Sequence, residues 1–277
     1  IAAEQVDYIE IIRGSSGDLD VRNSGQLVNI VLFESQSNSS TSAELGFTHF
    51  QDGTVEPNGT LSYSAQTGSL NYLFSADVTS GYEILESREV SFLADNTLND
   101  TRDFDRIRDQ TTYRLNSNVV YQPSPADRIA FNFLYSESDP PASLNRTITD
   151  YQTPNAAITY EREQLPSTQD NWELGGDYEH NFSNGGKYKF LFIVNEEDRA
   201  TTRESFVSTV LGGVETKDLF LDTSSKYQER IARTSYTWPV AAEQSLELGV
   251  EGAQTIQNSA LRLGLNRPGE TSADFGG

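Results

Sequence analysis

The chain has 277 residues, no cysteine, and 41 acidic against 20 basic side chains, for a formal net charge of -21. Disulfides, thiolate metal sites and cysteine nucleophiles are thereby removed, and an acidic field opposes nucleic acid as a partner. Mean hydropathy is -0.53 and no apolar run reaches about 18 residues, so no helix is expected to cross a membrane, yet 13 Tyr and 14 Phe are many for so polar a chain.

The first elements predicted are two short strands, 6–12 and 26–33, joined by a Gly/Ser/Asp-rich connection from Arg13-Gly14 to Ser24-Gly25. Ile9, Ile11 and Ile12 with Val28, Ile30 and Val31 are β-branched and bounded by turn residues, which favours buried strands over a helix. Residues 34–42, rich in Ser and Asn, read as a linker.

From residue 43 onward one unit recurs: a tight turn, an alternating strand on each side, and a longer polar stretch. The turns fall at Gln66-Thr67-Gly68-Ser69, Pro123-Ser124-Pro125-Ala126-Asp127, Ser183-Asn184-Gly185-Gly186 and Pro239-Val240-Ala241-Ala242-Glu243. Beside them lie Leu61, Tyr63 and Ala65 with Tyr72, Phe74 and Ala76. Tyr113, Leu115 and Val119 answer Ile129, Phe131, Phe133 and Tyr135, then Trp172, Leu174, Tyr178 and Phe182 answer Tyr188, Phe190 and Phe192. Tyr236 and Trp238 precede Leu246, Leu248 and Val250. The alternate positions are polar: Arg114, Asn116, Glu173, Asp177, Glu179, Lys187, Lys189, Arg233, Glu247 and Glu251. A period of two with one apolar face fits either a half-buried sheet or an outer-membrane barrel. Aromatic residues next to the turns (Tyr121, Phe182, Tyr188, Trp238) and unequal connections favour the barrel. The long connections are predicted as outward loops at 93–106, 138–169 and 209–217, with a short one at 52–57. The prolines of 138–169 argue against a central strand there.

The pair of strands at the start carries a resemblance. Val6, Ile9, Glu10, Ile11, Ile12, Arg13 and Gly14, followed by Gly25, Val28, Asn29, Ile30 and Val31, resemble the V-x-x-I-E-I-I-R-G and G-x-x-V-N-I-V strands that close the plug of TonB-dependent outer-membrane receptors. The resemblance implies an all-β fold with three parts. Residues 1–33 are the C-terminal end of a plug domain and 34–42 the linker. Residues 43–277 are the N-terminal part of a truncated, antiparallel up-and-down transmembrane β-barrel of about nine strands, against roughly 22 in a complete one.

It further implies active transport of a scarce nutrient (a ferric siderophore, cobalamin, glycan or peptide) across the bacterial outer membrane, with lipid around the barrel. Energy would come from a TonB-ExbB-ExbD complex through a motif upstream of Ile1. Inside such a barrel Glu10 and Arg13 would meet lumen charges, Glu247 and Glu251 among them. The alternatives are a passive porin or adhesin-like barrel, or a soluble glycan-binding β-sandwich.

No catalytic signature occurs: no H-E-x-x-H, G-x-S-x-G, Walker or Rossmann pattern, so no enzyme activity and no cofactor are predicted. Of the two histidines, His180 between Tyr178 and Phe182 reads as an interfacial strand residue. The acidic stretch 95–105 offers oxygens of the kind Ca²⁺ uses but lacks an EF-hand's spacing and glycine, and reads more readily as a solvated loop than as a Ca²⁺ site.

Overall fold

A computed structural model of the chain describes residues 6–13, 26–32, 39–241 and 244–265. Among the described residues every regular element is a β-strand. Strands β1 (Val6–Arg13) and β2 (Gln26–Leu32) form an antiparallel pair, with Ile9 opposite Ile30, Ile11 opposite Val28 and Arg13 opposite Gln26. The predicted pairing of the opening stretch is therefore present; the connection 14–25 lies outside the described residues, as do residues 34–38 of the linker.

The second sheet contains β3 (Ser39–His49), β4 (Val55–Thr67), β5 (Leu70–Phe92), β6 (Leu98–Ser124), β7 (Asp127–Asp139), β8 (Ala142–Asp150), β9 (Ala157–Leu165), β10 (Ser167–Asn181), β11 (Lys187–Ser208), β12 (Thr216–Ala241) and β13 (Gln244–Leu265). Residues 39–42, read from the sequence as linker, already belong to β3. The order runs β3-β4-β5-β6-β7-β10-β11-β12-β13, with β8 paired to β6 and β9, and β9 paired to β8 and β11.

These pairings describe a simple meander. Thr111 of β6 faces Asp139 of β7, and Arg108 faces Ala142 of β8, so β7 and β8 occupy one continuous register on β6. On the far side Thr201 of β11 faces Ser167 of β10 and Glu204 faces Gln164 of β9, again without a shift. Hence β7 with β8 and β9 with β10 are two long strands, each interrupted where proline sits. Pro140-Pro141 separates the first pair and Pro166 the second. Proline removes an N–H from the ladder, yet its carbonyl still serves: Asp109 donates to Pro141 at 3.3 Å and Thr202 to Pro166 at 3.0 Å. The ring of pairings through β6, β7, β10, β11, β9 and β8 surrounds this double interruption. Counted this way the sheet has nine positions, and among the described residues β3 and β13 are its two open edges.

The predicted outward loops are corrected by this arrangement. Only 50–54, 93–97, 151–156 and 209–215 are turns; apart from Pro140, Pro141 and Pro166, the rest of 93–106 and 138–169 is strand. The prolines mislead because they fall between segments whose register persists across them. The short turns stand where predicted, Gly68 (φ 59) and Gly185 (φ 82) supplying the left-handed residue in the first and third. The fourth spans residues 242–243, outside the described residues.

No conventional core lies between these strands. Buried apolar residues among those described are Ala65, Ala130 and Phe220, and no side chain is fully enclosed. The chain exposes 18201 Å², against roughly 12,000 Å² for a compact protein of its mass. One layer of sheet therefore carries two solvent- or partner-facing surfaces.

Candidate functional site

Register assigns each side chain to one of the two surfaces. Residues directly opposite in neighbouring strands share a face, and Leu61, Ala76, Leu115, Tyr135 and Trp172 form one such row. The next rows toward the short turns hold Tyr63, Phe74, Phe133, Leu174 and Val194, then Ala65, Tyr72, Val119, Phe131 and Phe192, then Tyr121, Ile129, Tyr178, Phe190 and Val250. Together they make an apolar belt in which Phe131 is 48%, Leu248 59% and Val250 68% exposed. The rings touch edge-on or tilted, as at Phe131–Phe192 (6.5 Å) and Tyr63–Tyr72 (5.9 Å).

Aromatic residues lie within the belt and at both of its borders, where both tryptophans are found. On the side of the short turns, Phe182 stacks on Tyr236 (5.5 Å) and Tyr236 on Trp238 (4.4 Å). His180 belongs to this border: its Nδ1 lies 2.7 Å from the Asp127 carboxylate, which also accepts from Tyr178 (2.8 Å) and Ser124 (2.7 Å), while Phe182 packs edge-on against the imidazole. The opposite border carries Tyr113, Tyr135 and Trp172. The sequence reading found the first border from its proximity to turns. The second emerges only once register aligns β6, β7 and β10.

The other face is ionic at the same height. Arg128 pairs with Asp177, Arg114 with Asp77 (3.7 Å), and Lys187 and Lys189 with Glu179 (2.9 and 3.8 Å). Of the residues predicted to line a lumen, Glu247 lies 4.0 Å from Arg233, and Glu251 is directly opposite Arg233 in the ladder. Glu10 and Arg13 occupy positions opposite Asn29 and Gln26 in the separate β1-β2 pair; their side chains lie outside the described ones. Glu247 and Glu251 thus flank Arg233 on one face of the sheet.

Toward β11 and β12 the belt's own face turns ionic within its rows: Glu196 is directly opposite Trp172, and Arg230 is opposite Val194. Lys226, beyond the belt, bonds Glu196 (2.5 Å) and Asp198 (3.1 Å). Farther out Arg162 holds Glu215 of the 209–215 turn with bonds of 2.6–3.2 Å and lies over the Phe206 ring at 4.4 Å. That contact keeps the Glu215 carboxyl below its ordinary range and pushes the Arg162 guanidinium up. A cleft of about 330 Å³ lies under this turn, lined by Asp103, Asp105, Asn145, Tyr160, Arg162 and Glu215 among others.

On the opposite face Glu163, 5% exposed, is held by Arg203 through two bonds of 2.7 and 2.9 Å and approached by Arg146 at 3.9 Å. Near the 50–54 turn, Tyr82 donates to Asp52 (2.6 Å), which depresses the carboxyl and raises the phenol.

The acidic stretch 95–105 is not a loop. Past the turn it is β6, whose alternation sends Asp103 and Asp105 to one face and Asp100 to the other, where Arg102 takes it at 3.2 Å. Among the described residues no group of three or more His, Asp or Glu side chains is gathered as a metal site.

No protein-family model matches the chain, and comparison with curated proteins finds no match either. The functional reading therefore rests on this geometry and on the motif at β1 and β2.

Proposed function

We propose that the chain is a plug end and partial barrel of a TonB-dependent outer-membrane receptor, a transporter of a scarce nutrient such as a ferric siderophore, cobalamin, glycan or peptide. The observation that carries the reading is the belt. Trp172 of β10 and Phe182, the residue after that strand's last, stand at the belt's two borders and are ten residues apart. At about 3.3 Å per residue this is ~33 Å along the strand, and a strand tilt of about 40° reduces it to ~25 Å, the height of the apolar band on outer-membrane barrels. An ionic surface behind that band suits a wet lumen, because charge on the lipid side would cost about 2–4 kcal/mol per Arg or Lys at the midplane.

The exposed Tyr and Phe rows argue against a sandwich, which would press them onto a second sheet. The β1-β2 pair, in which Val6–Arg13 and Gln26–Leu32 of the two motifs are in register, favours a plugged receptor over an open porin. In that setting Glu10 and Arg13 meet the lumen wall near Glu247 and Glu251 through ion pairs worth about 0–1 kcal/mol each. Such pairs hold a plug and still release it under force from an inner-membrane TonB-ExbB-ExbD complex.

Two experiments test this. The full-length protein should partition into the outer-membrane fraction; recovery in the soluble fraction would sink the membrane reading. Glu10→Gln with Arg13→Gln should raise ion leak through the reconstituted protein, whereas an unchanged conductance would remove those residues from the plug-wall contact.

A further inference from the structure

The distal half of β5 is an open strand edge inside the sheet. Pairing between β4 and β5 runs from Thr67–Leu70 to Gly59–Val78 and stops there, while β5 continues to Phe92 with β6 on its other side. The reason is local. Pro57 would face Ser80 next and has no N–H to give, and Ser80 instead donates its backbone N–H to the Asn58 side chain (2.9 Å) and its hydroxyl to the Pro57 carbonyl (2.9 Å). The 50–54 turn then folds against Tyr82, with Phe50 and Tyr82 rings 5.0 Å apart, and covers the edge no farther.

Hydrogen-bond phase identifies which groups are open. Gln122 donates to the Ser69 carbonyl across the β5-β6 ladder, so odd-numbered residues of β5 bond to β6 and even-numbered ones face the other way, as Ser80 does. Among the described residues, Ile84, Glu86, Arg88 and Val90 therefore present N–H and C=O groups to no neighbouring strand.

Proteins usually blunt such an edge with proline, charged side chains or a bulge. This one has neither proline nor bulge between residues 83 and 90; its charges there are Glu83, Glu86, Arg88 and Glu89, and it exposes Ile84, Leu85, Val90 and Phe92. Glu83 is taken by Arg106 (3.0 Å) and Arg88 by Asp103 (3.5 Å), but among the described residues no cation pairs with Glu86 or Glu89.

We propose that this edge accepts an extended peptide segment of another protein by strand addition, with basic residues opposite Glu86 and Glu89 and aliphatic residues opposite Ile84, Leu85 and Val90. Main-chain bonds supply affinity in such a mode, and cross-strand side chains supply choice. The inference depends on sheet register and on the exposed side chains of β5, and stands or falls separately from the membrane reading, which outer-membrane partition tests.

An antiparallel probe follows directly: acetyl-Val-Lys-Thr-Thr-Lys-Val-Ile-amide, placed with its first residue opposite Val90 and its last opposite Ile84. Its third and fifth residues would then exchange bonds with Arg88 and Glu86, and its second and fourth point away. Fluorescence anisotropy with detergent-solubilised full-length protein should show saturable binding. N-methylation of the third and fifth residues should raise Kd about tenfold or more, as two lost main-chain bonds of about 1 kcal/mol each imply. N-methylation of the second and fourth should change Kd by less than about threefold.

Replacing both lysines of the probe by glutamate, or Glu86→Lys with Glu89→Lys in the protein, should abolish binding. The proposal is overturned if the two methylated probes bind alike. It is equally overturned if no saturable binding occurs, whether the edge is inert or another stretch of the polypeptide already fills it.

Discussion

Pro141 and Pro166 stand opposite each other in adjacent strands. The register that pairs Ala142 with Leu165 continues through to Ser138 and Gln169, which places the two prolines at one level. Each accepts a bond from the outer neighbour, Asp109 or Thr202, and neither can return one. Two half-bonded rungs at one level make a weak line across the sheet, above which the β8-β9 hairpin can open by itself. Amides of 142–165 should exchange with solvent faster than those of 127–139 and 167–181. Pro141→Val with Pro166→Val should reduce that difference. Uniform exchange across the line in the unaltered protein would refute it; mass spectrometry of peptic fragments reads both.

Trp172 and Trp238 are the two tryptophans of the chain and mark opposite borders of the belt. In vesicles both should be quenched more strongly by lipids brominated near the headgroup than by lipids brominated near the chain end, because indole prefers the interface. Equal insensitivity to both lipids would place the belt in water and count against the membrane reading.

Glu163 is the most enclosed carboxylate among the described residues, and its removal takes both bonds from Arg203, while Arg146 keeps Glu161 at 2.6 Å. Because the Arg203 side chain is itself 40% exposed, the cost of Glu163→Ala is expected near 1–2 kcal/mol rather than the larger loss of a wholly buried pair. Hydrogen exchange of β9 should accelerate about five- to thirtyfold. Glu163→Gln, which keeps an acceptor, should lose less, and an unchanged rate in Glu163→Ala would show the pair to be idle.

Asp52 and Tyr82 give the 50–54 turn a pH window. The Tyr82 bond depresses the carboxyl, so its stabilisation is present above the ordinary carboxylate range and is lost as acid protonates it at the lowered value. The phenol is raised, so its contribution is present below ordinary tyrosine ionisation and is lost as alkali removes the proton at the higher value. Phenolate absorbance of the protein should include one late-titrating tyrosine that Asp52→Asn returns to the ordinary range. A difference spectrum identical in the two proteins would exclude the bond in solution.

Much of the fold was legible because its signals are local. Gly68 and Gly185 announce their turns, and rows such as Tyr72, Phe74 and Ala76 announce a period of two. What failed is equally physical. Past the belt both faces are polar, so Asp100, Arg102, Asp103, Asp105 and Arg106 show no alternation of hydropathy, and a strand there looks like a loop. The prolines reinforced that error, since no sequence rule says that register will persist past them. The paired borders of the belt depend on which residue of β6 meets which of β7 and β10. The free edge of β5 depends on where β4 stops, and neither is written in any one segment.

Unbroken register also governs how the distal wall can vary. Residues 142–150 and 157–165 hang from β6 and β11 with one fixed offset. Removing two residues from each of the four strands would shorten the wall by about 7 Å and leave every remaining side chain on its own face. Removing one from each would turn the rest of every strand inside out. Tolerated length changes in this wall should therefore come in even steps, matched across neighbours, so that its height is adjustable while the belt beneath it is not.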